Sequence, residues 1–389
     1  MTHPPRILVV GGGVIGLAVA FRLAGRARVT LIDTSGTRGA TWAAAGMLAP
    51  VSEAVFGEHE LTRLNLRAVA EFVDFAAELA LRTGRPVELR HEGTLAVAFD
   101  NDDRAALSRL TEYRDSLGLA TEQLNSRQAR SLEPYLAREV RSGVYTADDL
   151  SVDNRQYTEV LHDAARAAGV EFRRGSVSGL RRDSSDGATV TGAVVAGGDG
   201  AAESVVLDAE EVVLCTGAAT RELADLPIEP VKGQILRLQI PRQLAASGPI
   251  LTRTVRGLVR GSEVYLVPRR SGEIVVGATS EQRGFDTTVT AGGVYELLRN
   301  AYELLPVSSE FEFVEARAGS RPGTPDNGPI VGRLGPGLLV ASGHYRNGIL
   351  LSAATANAVG ALVVGGVASA EWTPFGPQRF LSQKEASCN

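Results

Sequence analysis

Two stretches of this 389-residue chain combine residue types and spacing in a way that could do chemistry. The first is Gly11-Gly12-Gly13-Val14-Ile15-Gly16, a G-x-G-x-x-G run placed after an apolar stretch and before a helical one, with Asp33 closing the next apolar stretch. Gly11 permits a tight turn, Gly13 lets the backbone reach a pyrophosphate, and Gly16 lets helix and strand pack closely. The helix N-terminus favours phosphate charge, and Asp33 accepts hydrogen bonds from ribose hydroxyls. Strand, glycine turn, helix, strand and acid in that order predict dinucleotide binding, against the plainer reading of a structural βαβ unit. The pattern serves NAD and FAD alike and does not choose between them. The second stretch, Gly39-Ala40-Thr41-Trp42-Ala43-Ala44-Ala45-Gly46-Met47-Leu48-Ala49-Pro50, holds too many small residues for a surface loop. Small residues let something large and flat lie close.

The elements that must position these residues begin with a strand at Arg6–Val10, a helix at Val14–Ala24 and a strand at Arg28–Asp33. An amphipathic helix is expected over 58–82, with Leu61, Leu64, Val69, Phe72, Phe75 and Leu79 at roughly helical intervals. A strand at 94–99, helices at 102–117 and 154–168, strands at 170–174 and 177–180, and a hairpin from 188–195 and 204–207 come next. A buried strand at 211–215 is followed by alternating strands at 233–239, 264–267 and 273–278, a run that reads as an antiparallel sheet. A last short strand at 337–342 leads into the uncharged stretch 347–370, expected as a buried helix.

The 40 Lys and Arg against 45 Asp and Glu give a formal charge of −5, which excludes a basic nucleic-acid footprint. Hydrophobic residues at 44% and charged residues at 22% suit a soluble globular chain with a sizeable core, and length predicts two domains. Cys215 and Cys388 suggest no disulfide framework, so a reducing cytoplasm is expected. The apolar run after Arg6 superficially resembles an export signal, but three glycines break it and a second strand follows. The 347–370 stretch is rich in Ala, Gly, Ser and Thr, so no membrane segment is expected.

Three further blocks carry a resemblance: Arg321-Pro322-Gly323-Thr324-Pro325-Asp326, Gly328-Pro329-Ile330-Val331-Gly332, and Gly343-His344-Tyr345-Arg346-Asn347-Gly348-Ile349-Leu350-Leu351. With Pro230-Val231-Lys232-Gly233-Gln234, Tyr265-Leu266-Val267-Pro268-Arg269 and Val276-Gly277-Ala278-Thr279 in order between the ends, the chain resembles the glycine oxidase branch of the FAD-dependent D-amino acid oxidase and sarcosine oxidase superfamily over residues 6–366. The resemblance implies an α/β fold, with a Rossmann-like FAD-binding domain interleaved with an α+β substrate domain on a mixed, largely antiparallel sheet. The FAD-binding segments are expected at 1–85, 142–225 and 325–389, and the substrate segments at 86–141 and 226–324.

Carried onto this sequence, the resemblance places Val14 and Ile15 at the pyrophosphate, Asp33 and Thr34 at the adenosine ribose, and Ala40 and Thr41 at the phosphates. Ala45, Gly46 and Met47 would line the isoalloxazine, and Val177 would offer backbone atoms to the adenine. His344, Tyr345, Arg346, Asn347, Gly348, Ile349 and Leu350 would wrap the pyrimidine edge of the flavin, where the positive end of the uncharged helix would stabilise charge at N1 and the C2 carbonyl. Arg321 would hold an amino acid carboxylate in a bidentate pair that guanidinium fits and ammonium does not. Tyr265 would donate to the same carboxylate, and Arg346 would support it. The resemblance leaves His344 without a general-base role and Lys232 with a structural role rather than an oxygen-activating one. No cysteine stands at Ala318-Gly319-Ser320, where sarcosine oxidases link flavin, so the FAD is expected to be noncovalent, and no metal is expected.

The activity implied is oxidation of glycine with O2 and water to glyoxylate, ammonia and hydrogen peroxide. The α-hydrogen leaves as hydride to flavin N5, and an imine forms that feeds thiazole formation in thiamine biosynthesis. Small amine substrate and O2 are the expected partners, without nucleic acid or membrane, and a homotetramer is expected. The alternatives are an oxidase of sarcosine or larger D-amino acids using the same arginine, and a dehydrogenase passing electrons to quinone.

Overall fold

The computed structural model describes residues 3–34, 39–196, 204–246 and 248–381. Arg6–Val10 alternates so that Ile7 and Val9 face one side and Leu8 and Val10 the other, all four buried. A strand apolar on both faces belongs in the middle of a covered sheet. It pairs in parallel with Arg28–Asp33 on one side and Glu211–Leu214 on the other. The complete sheet has six strands, in the order Ile330–Gly335, Leu338–Ser342, Glu211–Leu214, Arg6–Val10, Arg28–Asp33, Glu171–Arg174, with only the first antiparallel to its neighbour.

Helix Val14–Ala24 covers one face of this sheet with Ser352–Val363 and Asn154–Ala167 packed beside it, and the long helix His59–Thr83 lies against those two. Leu61, Leu64, Phe72, Phe75 and Leu79 of the long helix are buried as its periodicity requires, and Gly84, left-handed at φ 68°, ends it. The other face is covered by an antiparallel three-stranded sheet, Ser176–Arg182, Val190–Ala196 and Val205–Asp208, whose Val190, Ala193 and Val195 meet Leu8, Val10 and Ile32.

The second large sheet has eight strands in the order Glu312–Gly323, Glu229–Gln239, Glu273–Gly277, Ser262–Pro268, Thr254–Val259, Thr94–Ala98, Ser142–Thr146, Glu122–Asn125. Every pair is antiparallel except Thr254–Val259 with Thr94–Ala98. Ser142–Thr146 lies in this sheet between Thr94–Ala98 and Glu122–Asn125. Helix Ala291–Leu304 buries Leu297, Ala301 and Leu304 against one face. On the other face Ile235, Val267 and Val275 pack against Ala43 and Ala45.

The uncharged helix differs from expectation. It runs Ser352–Val363, starting later than 347 and ending well before 370. Gly343 and Tyr345 both have positive φ, 74° and 45°, and the Tyr345 N–H donates to Pro322 O at 3.0 Å, which ties the chain down before a helix can form. Residues 344–351 therefore run as successive turns. Gly365, left-handed at φ 75°, follows the helix's last residues.

Candidate functional site

A cavity of about 810 Å3 lies between the C-terminal ends of the parallel strands and the open face of the eight-stranded sheet. Open α/β sheets bind ligands at this end because loops and helix N-termini converge there. Gly11, Gly13, Val14, Ile15, Asp33 and Thr34 line one end, with Val177 beside them. Ala40, Thr41, Ala45, Gly46 and Met47 form a wall, and Tyr265, Arg321, His344, Tyr345, Arg346, Gly348 and Ile349 stand at the other end. Gly16, Asn347 and Leu350 are not among the lining residues. A Cβ on Gly16 would come 1.8 Å from Gly11 O, so this glycine serves the close packing of helix on strand. The buried Asn347 makes turn bonds, its N–H donating to His344 O and its carbonyl accepting from Leu351 N–H, both at 2.8 Å. Leu350 points into the core.

The nucleotide end is shaped by backbone. Gly13 caps helix Val14–Ala24 with no side chain, leaving the helix's first amides to other partners. One of them is engaged: the Val14 N–H donates to Thr41 Oγ1 at 3.1 Å. The Gly12 N–H donates to Asp33 Oδ1 at 3.1 Å, while Asp33 Oδ2 is buried with no partner. Ser320 Oγ, also on the cavity, is likewise buried and unpartnered. A side chain on Gly11, at φ 105°, would strike Cys215 O at 2.4 Å. A glycine cradle, an uncapped helix N-terminus and a buried carboxylate oxygen lacking a donor fit the pyrophosphate and ribose of a dinucleotide.

The other end is shaped by side chains that glycines make room for. Arg321, on Glu312–Gly323, donates from Nη1 to Thr279 O at 3.2 Å. A Cβ on Gly233 in the adjacent strand would fall 2.3 Å from that nitrogen. Tyr265 pairs across the sheet with Gly277, where a Cβ would meet its hydroxyl at 2.3 Å. Burial raises the Tyr265 phenol, with the Arg321 guanidinium pulling the other way, so the hydroxyl is a protonated donor at neutral pH. Arg346 is one-third exposed, stacks 5.4 Å from the Tyr345 ring centre and lies 3.5 Å from Glu58. His344 is buried with Nε2 at 2.9 Å from Thr355 Oγ1, and burial lowers its imidazole to about 3, so the ring is neutral. Lys232 lies fully buried away from the lining, 3.4 Å from Glu281.

Sequence reading missed several residues of this cavity. Arg256 sits directly across from Tyr265 on the same sheet face and pairs with Glu53 at 2.8 Å. Glu263 and Arg114 also line the space. Strand alternation puts 256, 265 and 277 in one row, but only once the pairing register is known. The glycines at 233 and 277 were the available signal, since glycine inside a strand marks a close approach.

Residues 6–362 match the FAD dependent oxidoreductase family, and the chain belongs to it. FAD is accordingly its cofactor, and the cradle around Asp33 fits that group. Within the family it is 35% identical to a glycine oxidase of Geobacillus kaustophilus, covering 98% of this chain and 99% of that one. A crystal structure of glycine oxidase from the same organism superposes with a TM-score of 0.85 at 33% identity, over 97% of this chain and 99% of the other. The chain is also 32% identical to the bifunctional protein ThiO/ThiG of Synechocystis, covering 97% of this chain but 54% of that protein. It thus spans about half the length of the bifunctional relatives it matches. No described helix is long and apolar enough to cross a membrane.

Proposed function

We propose that the chain oxidises glycine with O2 and water to glyoxylate, ammonia and hydrogen peroxide through an imine. The observation that carries this is the placement of Arg321 and Tyr265 side by side in the cavity that holds the dinucleotide cradle. Arg321 presents a planar fork to the substrate carboxylate, and the Tyr265 hydroxyl donates to the same group. Arg346 supports the clamp from the rim. The assignments of Val14, Ile15, Asp33, Thr34, Ala40, Thr41 and Val177 to the nucleotide, and of Ala45, Gly46, Met47, His344, Tyr345, Arg346, Gly348 and Ile349 to the ring system, belong to this reading. So does the division into nucleotide-binding and substrate segments.

Bound FAD supplies the acceptor for the two electrons and the α-hydrogen. The chain's own residues orient the amino acid by its carboxylate, hold its α-carbon in a walled space and exclude water. No side chain has to take a proton once the amine arrives neutral, which agrees with the neutral, hydrogen-bonded state of His344. We further propose a cytoplasmic homotetramer whose imine product feeds thiazole formation in thiamine synthesis.

Anaerobic bleaching of the purified protein's flavin absorbance by glycine, sarcosine and D-alanine, followed by air, tests the reading. Fastest bleaching by glycine, then reoxidation with peroxide, is expected. Bleaching without reoxidation points to a quinone-linked dehydrogenase, and no bleaching by any small amine removes the reading.

A further inference from the structure

The wall formed by residues 41–46 is gripped from behind at its carbonyl groups. Asn154, fully buried at the start of helix Asn154–Ala167, donates from Nδ2 to Thr41 O at 2.7 Å. Arg269, 4% exposed, donates from Nη2 to Ala45 O at 2.6 Å. Val152 N–H holds Gly46 O at 2.8 Å. The two side-chain grips are joined, because Asn154 Oδ1 accepts from Arg269 Nη2 at 3.3 Å, and it also accepts from Arg237 Nη2 at 3.2 Å. The far end is joined as well, since Thr41 Oγ1 accepts the Val14 N–H that opens the first helix. A continuous path of hydrogen bonds therefore runs from Arg269, just past strand Ser262–Pro268 of the large sheet, through Asn154 and Thr41 to the glycine turn.

This arrangement is costly as a purely structural device. Burial lowers the Arg269 guanidinium to about 10, and its nearest carboxylate, Asp153, lies 4.0 Å away. An apolar residue of similar size would suit a core better. Both bonds leave from Nη2, whose two N–H groups fix Ala45 O and the Asn154 side chain together, while Nε and Nη1 are buried without a partner.

We propose that Arg269 and Asn154 are positioning residues for the flavin: they set the Thr41–Gly46 wall and, through Thr41, the first amide of the phosphate-facing helix as one unit. This rests on the reading that the wall faces the ring system and the turn faces the phosphates. Loss of either residue then loosens cofactor binding, although neither is among the residues lining the cavity.

The test is titration of apoprotein with FAD, followed by flavin fluorescence, for wild type, Arg269→Lys, Asn154→Ser, Thr41→Val and the double variant Thr41→Val with Arg269→Lys, with thermal melting of each apoprotein alongside. Each single change is expected to weaken FAD on the order of tenfold, one charge-assisted or buried hydrogen bond. The double variant is expected to weaken it far less than the product of the two, because the second change acts on a path already broken. Unchanged affinity in all variants, or penalties that multiply independently, overturns the inference. If Arg269→Lys does not melt cooperatively, Asn154→Ser with Thr41→Val closes the same cycle. Wild-type apoprotein that binds no FAD removes the underlying reading instead, so the two failures are distinguishable.

Discussion

Arg321 and Tyr265 stand where they do because the residues beside them have no side chains. Gly233→Ala places a methyl group 2.3 Å from the Arg321 guanidinium, while the backbone there is ordinary. Overpacking of this kind costs about 1–3 kcal/mol, so kcat/KM for glycine is expected to fall roughly tenfold or more with flavin content unchanged. Steady-state kinetics with the flavin absorbance ratio checks it, and wild-type kinetics in this variant would mean the guanidinium does not hold the substrate. On the proposed reading, Arg321→Ala is expected to cost about 3 kcal/mol, roughly a hundredfold in kcat/KM, and Arg321→Lys should recover little because a point charge lacks the fork. His344 makes the opposite case. Its imidazole is lowered by burial to about 3 and bonded to Thr355, so it stays neutral across the working pH range. His344→Gln is expected to change the height of the pH profile of kcat/KM but neither of its limbs; a shifted limb would restore a proton-transfer role to this residue.

The segment between Met47–Leu48 and helix His59–Thr83 shows an element held by buried charge. Asp149, fully buried, accepts the Val51 N–H at 3.2 Å and the Ser52 N–H at 3.3 Å, while Arg114 donates to the carbonyls of Ser52 and Ala54. Glu53, between them, reaches the cavity. Burial raises the Asp149 carboxyl to about 6 despite those donors. Its folded value thus lies above an unfolded value of about 3.9, so the folded state binds the extra proton and stability falls as pH rises from about 4 to about 6. Asp149→Asn cannot show that loss. Its melting temperature relative to wild type should climb over that interval and level off above pH 7, by an amount worth at most about 3 kcal/mol. A difference independent of pH would show that the carboxyl titrates normally. None of this was legible in the sequence, where Asp149 is one acid among 45 Asp and Glu. Helices with strong periodicity were legible: 58–82 was expected and His59–Thr83 is found. The helix at Ser352 was misplaced because an uncharged composition tells nothing of Tyr345, whose positive φ and bond to Pro322 arise only when strand Glu312–Gly323 arrives beside it.

At the scale of the molecule, the glycine turn was readable from one local run because its geometry is backbone geometry, fixed by glycines adjacent in sequence. The other end of the cavity was not, since Arg256, Tyr265, Gly277 and Arg321 meet through strand pairings far apart in the chain: resemblance singled out Tyr265 and Arg321 and missed Arg256. The cavity lies between two separately packed cores, so a ligand filling it touches both. A cofactor that binds the folded state alone stabilises it by about 2.7 kcal/mol at a hundred times its dissociation constant. The melting temperature of the apoprotein is therefore expected to rise with each addition of FAD and to keep rising logarithmically beyond saturation. A covalent cofactor would not behave so. Cys215, on the lining beside the glycine turn, has its thiol pushed up by burial alone and is held protonated, which denies it nucleophilic character. Acid precipitation of the yellow holoenzyme should leave all of the flavin in the supernatant, read as absorbance near the flavin band. Yellow colour retained in the washed pellet would contradict noncovalent binding and direct attention to a linkage through a residue other than this thiol.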